Sequence, residues 1–162
     1  MKVTIDPGLN TGIALWTDDW ELSAWEIMKN EVKDKDRKAM YHDIIEMTNR
    51  LKYFVSHSIV IKSRKFAAIE GVGFWSSNLT SRTAASTGRI FRLAYQVGMY
   101  VRCLKSECGF KKVIVPEASY WKGQMDDEAV KLRVKRNLGK LPTDNQHVLD
   151  AIGIGLGLEG SL

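Results

Sequence analysis

The stretch KVTIDPGLNTGIALW, residues 2–16, decides the fold. Residues 2–5 alternate polar and apolar side chains, which predicts a β-strand that ends at Asp6. Residues 7–10 have the composition of a turn, and residues 13–16 predict a second strand. We therefore expect a hairpin that presents an aspartate at the end of its first strand, beside a glycine turn.

The segments that follow the hairpin alternate between strand and helix signals. A third strand around residues 24–28 completes an antiparallel meander, and spacings of three and four between apolar residues then predict helices. The later predicted elements are a helix with Met40, Ile44, Met47, Leu51 and Phe54 on one face, a strand at 65–70 that ends at Glu70, a helix at 82–104 with Ala84, Gly88, Ala94 and Gly98 facing inward, a strand at 113–115, a helix at 126–138 and a last helix capped by Thr143. This order predicts one α/β domain over residues 1–162, with a mixed five-stranded sheet flanked by helices.

The composition excludes several classes of protein. Hydrophobic residues make up 44% and charged residues 27% of the chain, which is typical of a folded globular protein. No apolar run reaches the ~18 residues of a membrane span, and the N-terminus does not resemble a signal peptide. We expect no membrane partner, two reduced thiols at Cys103 and Cys108, and a cytoplasmic location, which is the host cytoplasm if the source is viral.

Charge is distributed unevenly along the chain. Residues 1–75 hold 11 basic and 11 acidic residues, whereas residues 76–140 hold 13 basic residues against 5 acidic ones, a net charge of +8. Residues 141–162 hold 3 acidic residues and no Lys or Arg. The middle of the chain therefore favours a polyanionic partner such as nucleic acid, with an ordinary solvated basic surface as the alternative.

Three acidic residues stand at the ends of predicted elements. Asp6 ends a strand beside a glycine turn, and Glu70 ends one beside a glycine. Asp150 lies in the last helix three residues after His147, on the same helical face. If the first and fourth strands are neighbours, their carboxylates lie side by side and repel unless a cation separates them. Such a cluster suits one or two divalent metal ions, with Asp144 as a candidate for its rim. Taken singly, each acid is equally compatible with a surface or capping role, and His147 with a core position.

Three segments resemble the motifs of the RuvC family of Holliday junction resolvases, which belongs to the RNase H-like superfamily. Residues 5–15 (IDPGLNTGIAL) resemble the opening motif, and residues 69–74 (IEGVGF) resemble the second, in which the catalytic Glu follows a strand. Residues 147–154 (HVLDAIGI) resemble the last motif, in which the position three before the final acid is Asp or His. The resemblance extends from Asp6 to Ile154, and a phage-type member is a candidate within the family.

The resemblance implies an RNase H-like fold and a structure-selective endodeoxyribonuclease that resolves Holliday junctions by phosphodiester hydrolysis. It implies that Asp6, Glu70, His147 and Asp150 are the catalytic and metal-binding residues. Family members act as homodimers on four-way junctions and related branched DNA with Mg²⁺, and we expect two ions per active site. Because imidazole suits softer divalent metals better than Mg²⁺, we expect Mn²⁺ to be accepted as well.

Aromatic and basic residues near Glu70 are candidates for DNA contacts. Phe74 and Trp75 follow Glu70 in a polar loop, where an exposed aromatic ring can stack on an unpaired base. Arg82 and Arg89 are seven residues apart and suit a track of phosphate contacts, with Arg92 close by. Lys122 matches one of the family's lysine positions, and Trp121 beside it is a further candidate for the DNA backbone. The family's other lysines are replaced here by Asp126, Asp127 and Glu128.

Three other functions compete with a junction resolvase. A general RNase H-like nuclease acting on RNA–DNA hybrids has the same acids, and a non-catalytic junction-binding module has the same basic surface. Actin-like ATPases also begin with an Asp-x-Gly turn, but the chain is too short for their two lobes. The presence of all the acids favours an enzyme over a binding module.

Overall fold

The computed structural model describes residues 1–30, 37–58, 65–73 and 88–159. Its centre is a five-stranded sheet in the order β3-β2-β1-β4-β5. The strands are β1 (Lys2–Asp6), β2 (Asn10–Trp16), β3 (Leu22–Lys29), β4 (Phe66–Ile69) and β5 (Lys112–Ile114). The first three strands pair antiparallel, while β4 runs parallel to β1 and β5 runs parallel to β4. The predicted mixed sheet is confirmed, including the meander that opens it.

Helices cover both faces of the sheet. They are α1 (Arg37–His57), α2 (Arg89–Arg102) with a π-helical turn at Cys103–Glu107, α3 (Ala118–Trp121), α4 (Asp127–Leu138) and α5 (Gln146–Leu158). One core lies between the sheet and α1 and α2, and includes Ile5, Ile13, Leu51 and Tyr100. The other lies between the sheet and α3 to α5, and includes Trp16, Ala68 and Leu149. No helix in the described parts of the chain is both long and apolar enough to cross a bilayer.

The register of β1 and β4 places Asp6 and Glu70 side by side at the C-terminal ends of these two parallel strands. Ile5 pairs with Ile69, and the amide of Glu70 donates to the carbonyl oxygen of Ile5 at 2.9 Å. Side chains alternate between the faces of a strand, so Asp6 lies on the same face as Thr4, whose hydroxyl donates to Ala151 O of α5 at 2.6 Å. The hydroxyl contact places Asp6 on the face that α5 covers.

Glycine at position 12 lets α5 approach the hairpin closely. A Cβ added to Gly12, which pairs with Asp6 across the hairpin, would lie 1.9 Å from the carbonyl oxygen of His147. Only a residue without a side chain tolerates this separation, because real Cβ contacts are far longer. The opening motif therefore positions the first turn of α5 against the end of β1.

The predicted inward face of the second long helix is wrong. Within α2 the buried residues are Arg92, Gln96, Val97 and Tyr100. Ala94 and Gly98 face solvent, Gly88 is the residue before the helix and is half-buried, and residues 82–87 lie outside the described residues. Gln96 and Tyr100 are buried because they bond to each other and to the hairpin: the Gln96 side-chain amide donates to Gly8 O at 3.1 Å and to Tyr100 Oη at 2.8 Å.

Other helix predictions agree more closely with the structure. Ile44, Met47 and Leu51 are buried on α1 and Phe54 is half-buried, as the spacing predicts, whereas the Met40 side chain is not among the described ones. Asp126 caps α4 by accepting from Ala129 N at 2.8 Å. The cap of α5 is Asn145 and not Thr143, whose hydroxyl instead accepts from Asn145 N at 3.1 Å. Asn and Thr are both good caps, so composition alone does not choose between them.

Candidate active site

Asp6 and His147 form the first contact of the site. Asp6 is the last residue of β1 and is 8% exposed, while His147 is the second residue of α5. Their Oδ2 and Nδ1 atoms are 2.7 Å apart, a hydrogen bond across 141 residues of sequence. The close approach of α5 over Gly12 makes this contact geometrically accessible.

Glu70 extends from the end of β4 toward α3. Its Oε2 atom accepts a hydrogen bond from Trp121 Nε1 at 2.9 Å. The next amide, that of Gly71, donates to Pro116 O at 2.7 Å, which ties the chain after Glu70 to the segment after β5. Glu70 is therefore held from both sides at the same sheet edge as Asp6.

Asp150 lies on α5, three residues after His147. Its Oδ1 atom accepts from the Gln146 side-chain amide at 2.9 Å and lies 3.4 Å from Lys122 Nζ. Lys122 Nζ is also 3.1 Å from Asp127 Oδ1. The ammonium thus bridges an acid of the site and an acid at the start of α4.

Burial disfavours the ionised form of each acid of the site. It raises the pKa of Asp6 by more than the hydrogen bond to His147 lowers it. Burial, with the nearby charge of Asp6, raises the pKa of Glu70 to about 7, and burial also raises the pKa of Asp150 despite Lys122. The folded protein by itself therefore disfavours the ionised form of all three acids, which a bound cation would stabilise.

The two cationic side chains respond to these acids. The hydrogen bond to Asp6 raises the pKa of His147 against the opposing effect of burial. Burial lowers the pKa of Lys122, but Asp127 and Asp150 outweigh it, so that the net change is upward. Both shifts stabilise positive charge next to carboxylates.

The donor chemistry of the site fits a divalent cation. Three carboxylates and an imidazole are available, and among the described residues Asp6 Oδ1, Glu70 Oε1 and Asp150 Oδ2 accept no hydrogen bond. As the side chains are placed, no three His, Cys, Asp or Glu residues of the described chain are grouped closely enough to bind one ion together. The acids instead contact His147, Trp121 and Lys122, which are internal partners that a cation has to displace or share.

The predicted DNA-contacting residues have different outcomes. Phe74, Trp75 and Arg82 lie outside the described residues. Arg89 is exposed at the start of α2 and lines a cavity of about 160 Å³ beside Gly8 and Leu9. The predicted role of Arg92 in the same track is wrong, because Arg92 is 8% exposed and pairs with the buried Asp43 at 3.5 Å.

Lys122, Trp121 and Asp144 lie in positions that differ from those that the sequence predicts. Lys122 lies inside the site and not on an outer surface, and Asp127 is one of its two anionic partners. Trp121 is 4% exposed and bonds Glu70, so the prediction that it approaches the DNA backbone is wrong. Asp144 is exposed and, within the described chain, forms no hydrogen bond to the four site residues.

Sequence reasoning missed Gln146 as a residue of the site and gave Trp121 a different role. Gln146 binds Asp150, and the four-residue spacing within one helix is a signal that could have found it. Trp121 binds Glu70 from 51 residues away, and nothing local in the sequence indicates that contact. Both act on acids that the sequence did identify.

Comparisons with known proteins support the fold. No protein-family model matches the chain, and no curated protein matches its sequence. The chain is similar to the structure of Thermus thermophilus RuvC in complex with a Holliday junction substrate, with a TM-score of 0.68 and 16% sequence identity over 96% of this chain and 90% of that one. It is also similar to a second Thermus thermophilus RuvC structure, with a TM-score of 0.64 and 16% identity over 96% of this chain and 91% of that one.

The chain therefore has a RuvC-like fold of the RNase H-like class, as its sequence predicts. Within that fold, Asp6 is hydrogen-bonded to His147, while Glu70 and Asp150 contact Trp121 and Lys122, which are adjacent in the chain. A phage-type origin stays a prediction.

Proposed function

We propose that this protein is a metal-dependent endodeoxyribonuclease that cuts branched DNA, four-way junctions among them. One observation carries the proposal: Asp6 is hydrogen-bonded to His147 at 2.7 Å, and Glu70 lies close enough to Asp6 and Asp150 for their charges to raise its pKa. The fold around them is that of a protein whose structure was solved with a Holliday junction. A divalent metal site in contact with a phosphodiester is the chemistry that such acids serve best.

The four residues would hold Mg²⁺, two ions per site, with Mn²⁺ accepted because His147 supplies a nitrogen ligand. The metal, when bound, polarises the phosphodiester and lowers the pKa of the attacking water. The protein's own contribution is orientation: Asp6 and His147 fix each other, and Gln146 fixes Asp150. Lys122, an ammonium already beside Asp150, is available to contact a phosphate oxygen.

DNA binding is assigned to the basic middle of the chain and to the residues that border the site. Arg89 lines the cavity next to the hairpin turn, and Lys122 lies beside Asp150. Arg82 with Arg89 would contact phosphates, while Phe74 or Trp75 would stack on an unpaired base at the branch point. The net charge of +8 over residues 76–140 supports a phosphate-tracking surface.

We further propose that the enzyme is a two-fold dimer formed through α2. The solvent face of this helix carries Phe91, which is 74% exposed, with Ala94, Tyr95 and Gly98. Tyr95 packs edge-on against Tyr41 of α1, with ring centroids 5.3 Å apart, and Tyr41 is itself 50% exposed. Exposed aromatic residues on one helix face suit an interaction site, and a two-fold partner would supply a second active site for the second strand.

The test is cleavage of three substrates by the purified protein in Mg²⁺: a four-way junction, a linear duplex of the same sequence, and an RNA–DNA hybrid. We expect selective cleavage of the junction. Preferential degradation of the hybrid would identify a general RNase H-like nuclease instead. Tight junction binding without cleavage in either Mg²⁺ or Mn²⁺ would identify a non-catalytic binding module.

A further inference from the structure

Trp121 forms a hydrogen bond with Glu70, one of the acids of the site. It is the last residue of α3 and its side chain is almost entirely buried. Its indole Nε1 donates to Glu70 Oε2 at 2.9 Å. An indole nitrogen can only donate, so the contact requires an acceptor at that oxygen and leaves Oε1 to other partners.

The indole is seated on the helix that carries the other acids. A Cβ on Gly153 would lie 2.5 Å from Trp121 Cζ3, and one on Gly157 would lie 2.9 Å from Trp121 Cβ. These two glycines, four residues apart on α5, therefore form a groove for the side chain of Trp121. The indole cannot shift without a matching shift of α5.

The backbone of Trp121 is tied to the same helix. Arg133 of α4 donates from Nη1 to Trp121 O at 3.3 Å and from Nη2 to Leu156 O at 2.9 Å. One guanidinium thus joins the end of α3 to the C-terminal turn of α5. Ring and backbone of Trp121 are thus both attached to α5, while its Nε1 bonds the acid that follows β4.

We infer that Trp121 is a positioning residue that fixes Glu70 relative to Asp150 and His147. This inference rests on the proposed function, because it takes Glu70 to be a metal ligand. The two acids of the sheet come from β1 and β4, whereas Asp150 and His147 come from α5. Trp121 is a direct link between the β4 acid and α5, so it sets the separation of ligands that belong to different elements.

The chain contains a matched control for this role. Trp16 is fully buried, its Nε1 donates to Thr4 Oγ1 at 2.8 Å, and a Cβ on Gly155 of α5 would lie 2.2 Å from its ring. Trp16 therefore shares with Trp121 the burial, the indole hydrogen bond and the glycine groove on α5. It differs in bonding a neutral hydroxyl and no acid of the site.

The experiment compares Trp121→Phe with Trp16→Phe in the full-length protein. Each variant loses one indole hydrogen bond and some buried ring area. We measure the Mg²⁺ dissociation constant without DNA, and kcat and KM on the four-way junction. Trp121→Phe is expected to weaken Mg²⁺ binding by about 10- to 100-fold and to lower kcat with KM unchanged, as for other residues that orient metal ligands. Trp16→Phe is expected to retain the Mg²⁺ affinity of the wild type even where its thermal stability falls.

A second measurement does not depend on the folding of either tryptophan variant. The indole N–H resonance of Trp121 is followed by NMR in the wild type and in Glu70→Gln, with the other indole resonances as internal references. We expect this resonance to shift on Mg²⁺ addition and to differ in Glu70→Gln. A resonance that responds to neither change would overturn the inference, and so would equal Mg²⁺ affinity in Trp121→Phe and Trp16→Phe.

Failure of the inference is distinguishable from failure of the proposed function. If the wild type cuts junctions and Trp121→Phe binds Mg²⁺ normally, the function stands and the role of Trp121 is disproved. If Mg²⁺ binding depends on Trp121 but no DNA substrate is cut, the role of Trp121 stands and the proposed function is disproved. A wild type that binds neither Mg²⁺ nor Mn²⁺ would overturn both.

Discussion

Asp6, Glu70 and Asp150 are predicted to be needed for cleavage and dispensable for DNA binding. In the proposed function, affinity for DNA comes largely from basic side chains on phosphates, whereas these acids would bind the metal. We expect Asp6→Asn, Glu70→Gln and Asp150→Asn each to abolish cleavage while junction binding survives. Gel-shift and cleavage assays on the same preparations test this, with Asp144→Asn as the exposed acidic control. Near-normal turnover by Asp6→Asn would remove Asp6 from the site.

His147 and Glu70 make metal binding depend on pH in a defined direction. Only neutral imidazole and ionised carboxylate bind metal, and the folded protein raises the pKa of His147 and brings that of Glu70 to about 7. Protons therefore compete with the metal on the acid side, and affinity increases as pH rises through these pKa values. We expect single-turnover cleavage in Mg²⁺ to fall steeply below neutral pH, by more than the loss of hydroxide explains.

Substitutions at His147 separate the contribution of the imidazole to this pH dependence from the contribution of Glu70. His147→Asp restores a negative charge, so it is expected to keep activity in Mg²⁺, to lose any preference for Mn²⁺ and to make the acid limb shallower, with the part due to Glu70 remaining. His147→Ala is expected to lower activity more than DNA binding. The pH profiles of the three proteins in each metal decide the matter, and a His147→Ala profile identical to the wild type would make His147 a bystander.

The hairpin and α5 are held together by the absence of a side chain at position 12. The carbonyl oxygen that a Cβ on Gly12 would meet at 1.9 Å belongs to helix backbone, which cannot move aside alone. We expect Gly12→Ala to destabilise the protein by roughly 1–3 kcal/mol, as overpacking does, and to weaken metal binding by displacing His147. Urea unfolding and Mg²⁺ titration measure the two effects.

Gly98 offers the matched glycine for that prediction. It lies inside α2, and no described residue comes within 4 Å of an added Cβ, so at concentrations where the protein is monomeric Gly98→Ala is expected to be neutral or to stabilise by up to about 1 kcal/mol. Equal stability losses in the two variants would show that the close approach at Gly12 is relieved elsewhere. Normal Mg²⁺ affinity in a destabilised Gly12→Ala protein would separate the packing of α5 from the geometry of the site.

Sequence periodicity predicts elements well where one side of the element is apolar. The alternation in β1 and the spacing of Ile44, Met47 and Leu51 on α1 both report burial directly. The buried side of α2 was missed because it is polar: Gln96 and Tyr100 are buried for their hydrogen bonds to each other and to the hairpin, which no one-dimensional pattern reveals. The small residues Ala94 and Gly98 on the same helix predict an inward face, although both are exposed.

The same distinction explains which parts of the site the sequence predicts. Asp6 and Glu70 are recognisable because each ends a strand beside a glycine, and parallel neighbouring strands place their ends together. Trp121 and Lys122 enter the site from a short helix whose position depends on packing against the glycines of α5. Contacts between segments far apart in sequence need the tertiary structure, even when every residue involved is known.

Across the whole molecule, the apolar surface of α2 and the active site are two consequences of one fold. The hydrogen bonds of Gln96 and Tyr100 attach the inner side of α2 to the hairpin that carries Asp6, and leave its outer side exposed. A dimer formed through that outer side would hold its two active sites in a fixed relation. Paired incision of opposite strands at a symmetric junction requires such a relation, whereas metal binding does not.

Disrupting the dimer is expected to affect paired incision and not metal binding. Phe91→Glu places a charge at the most exposed apolar residue of α2, so we expect a monomer in sedimentation equilibrium at concentrations where the wild type is a dimer. The variant is expected to keep the Mg²⁺ affinity of the wild type and to lose paired incision of a four-way junction, leaving single nicks. Leu132→Glu is the control, because Leu132 is 55% exposed on α4, on the opposite face of the sheet. A dimeric Phe91→Glu protein, or dissociation caused equally by Leu132→Glu, would place the interface somewhere other than α2.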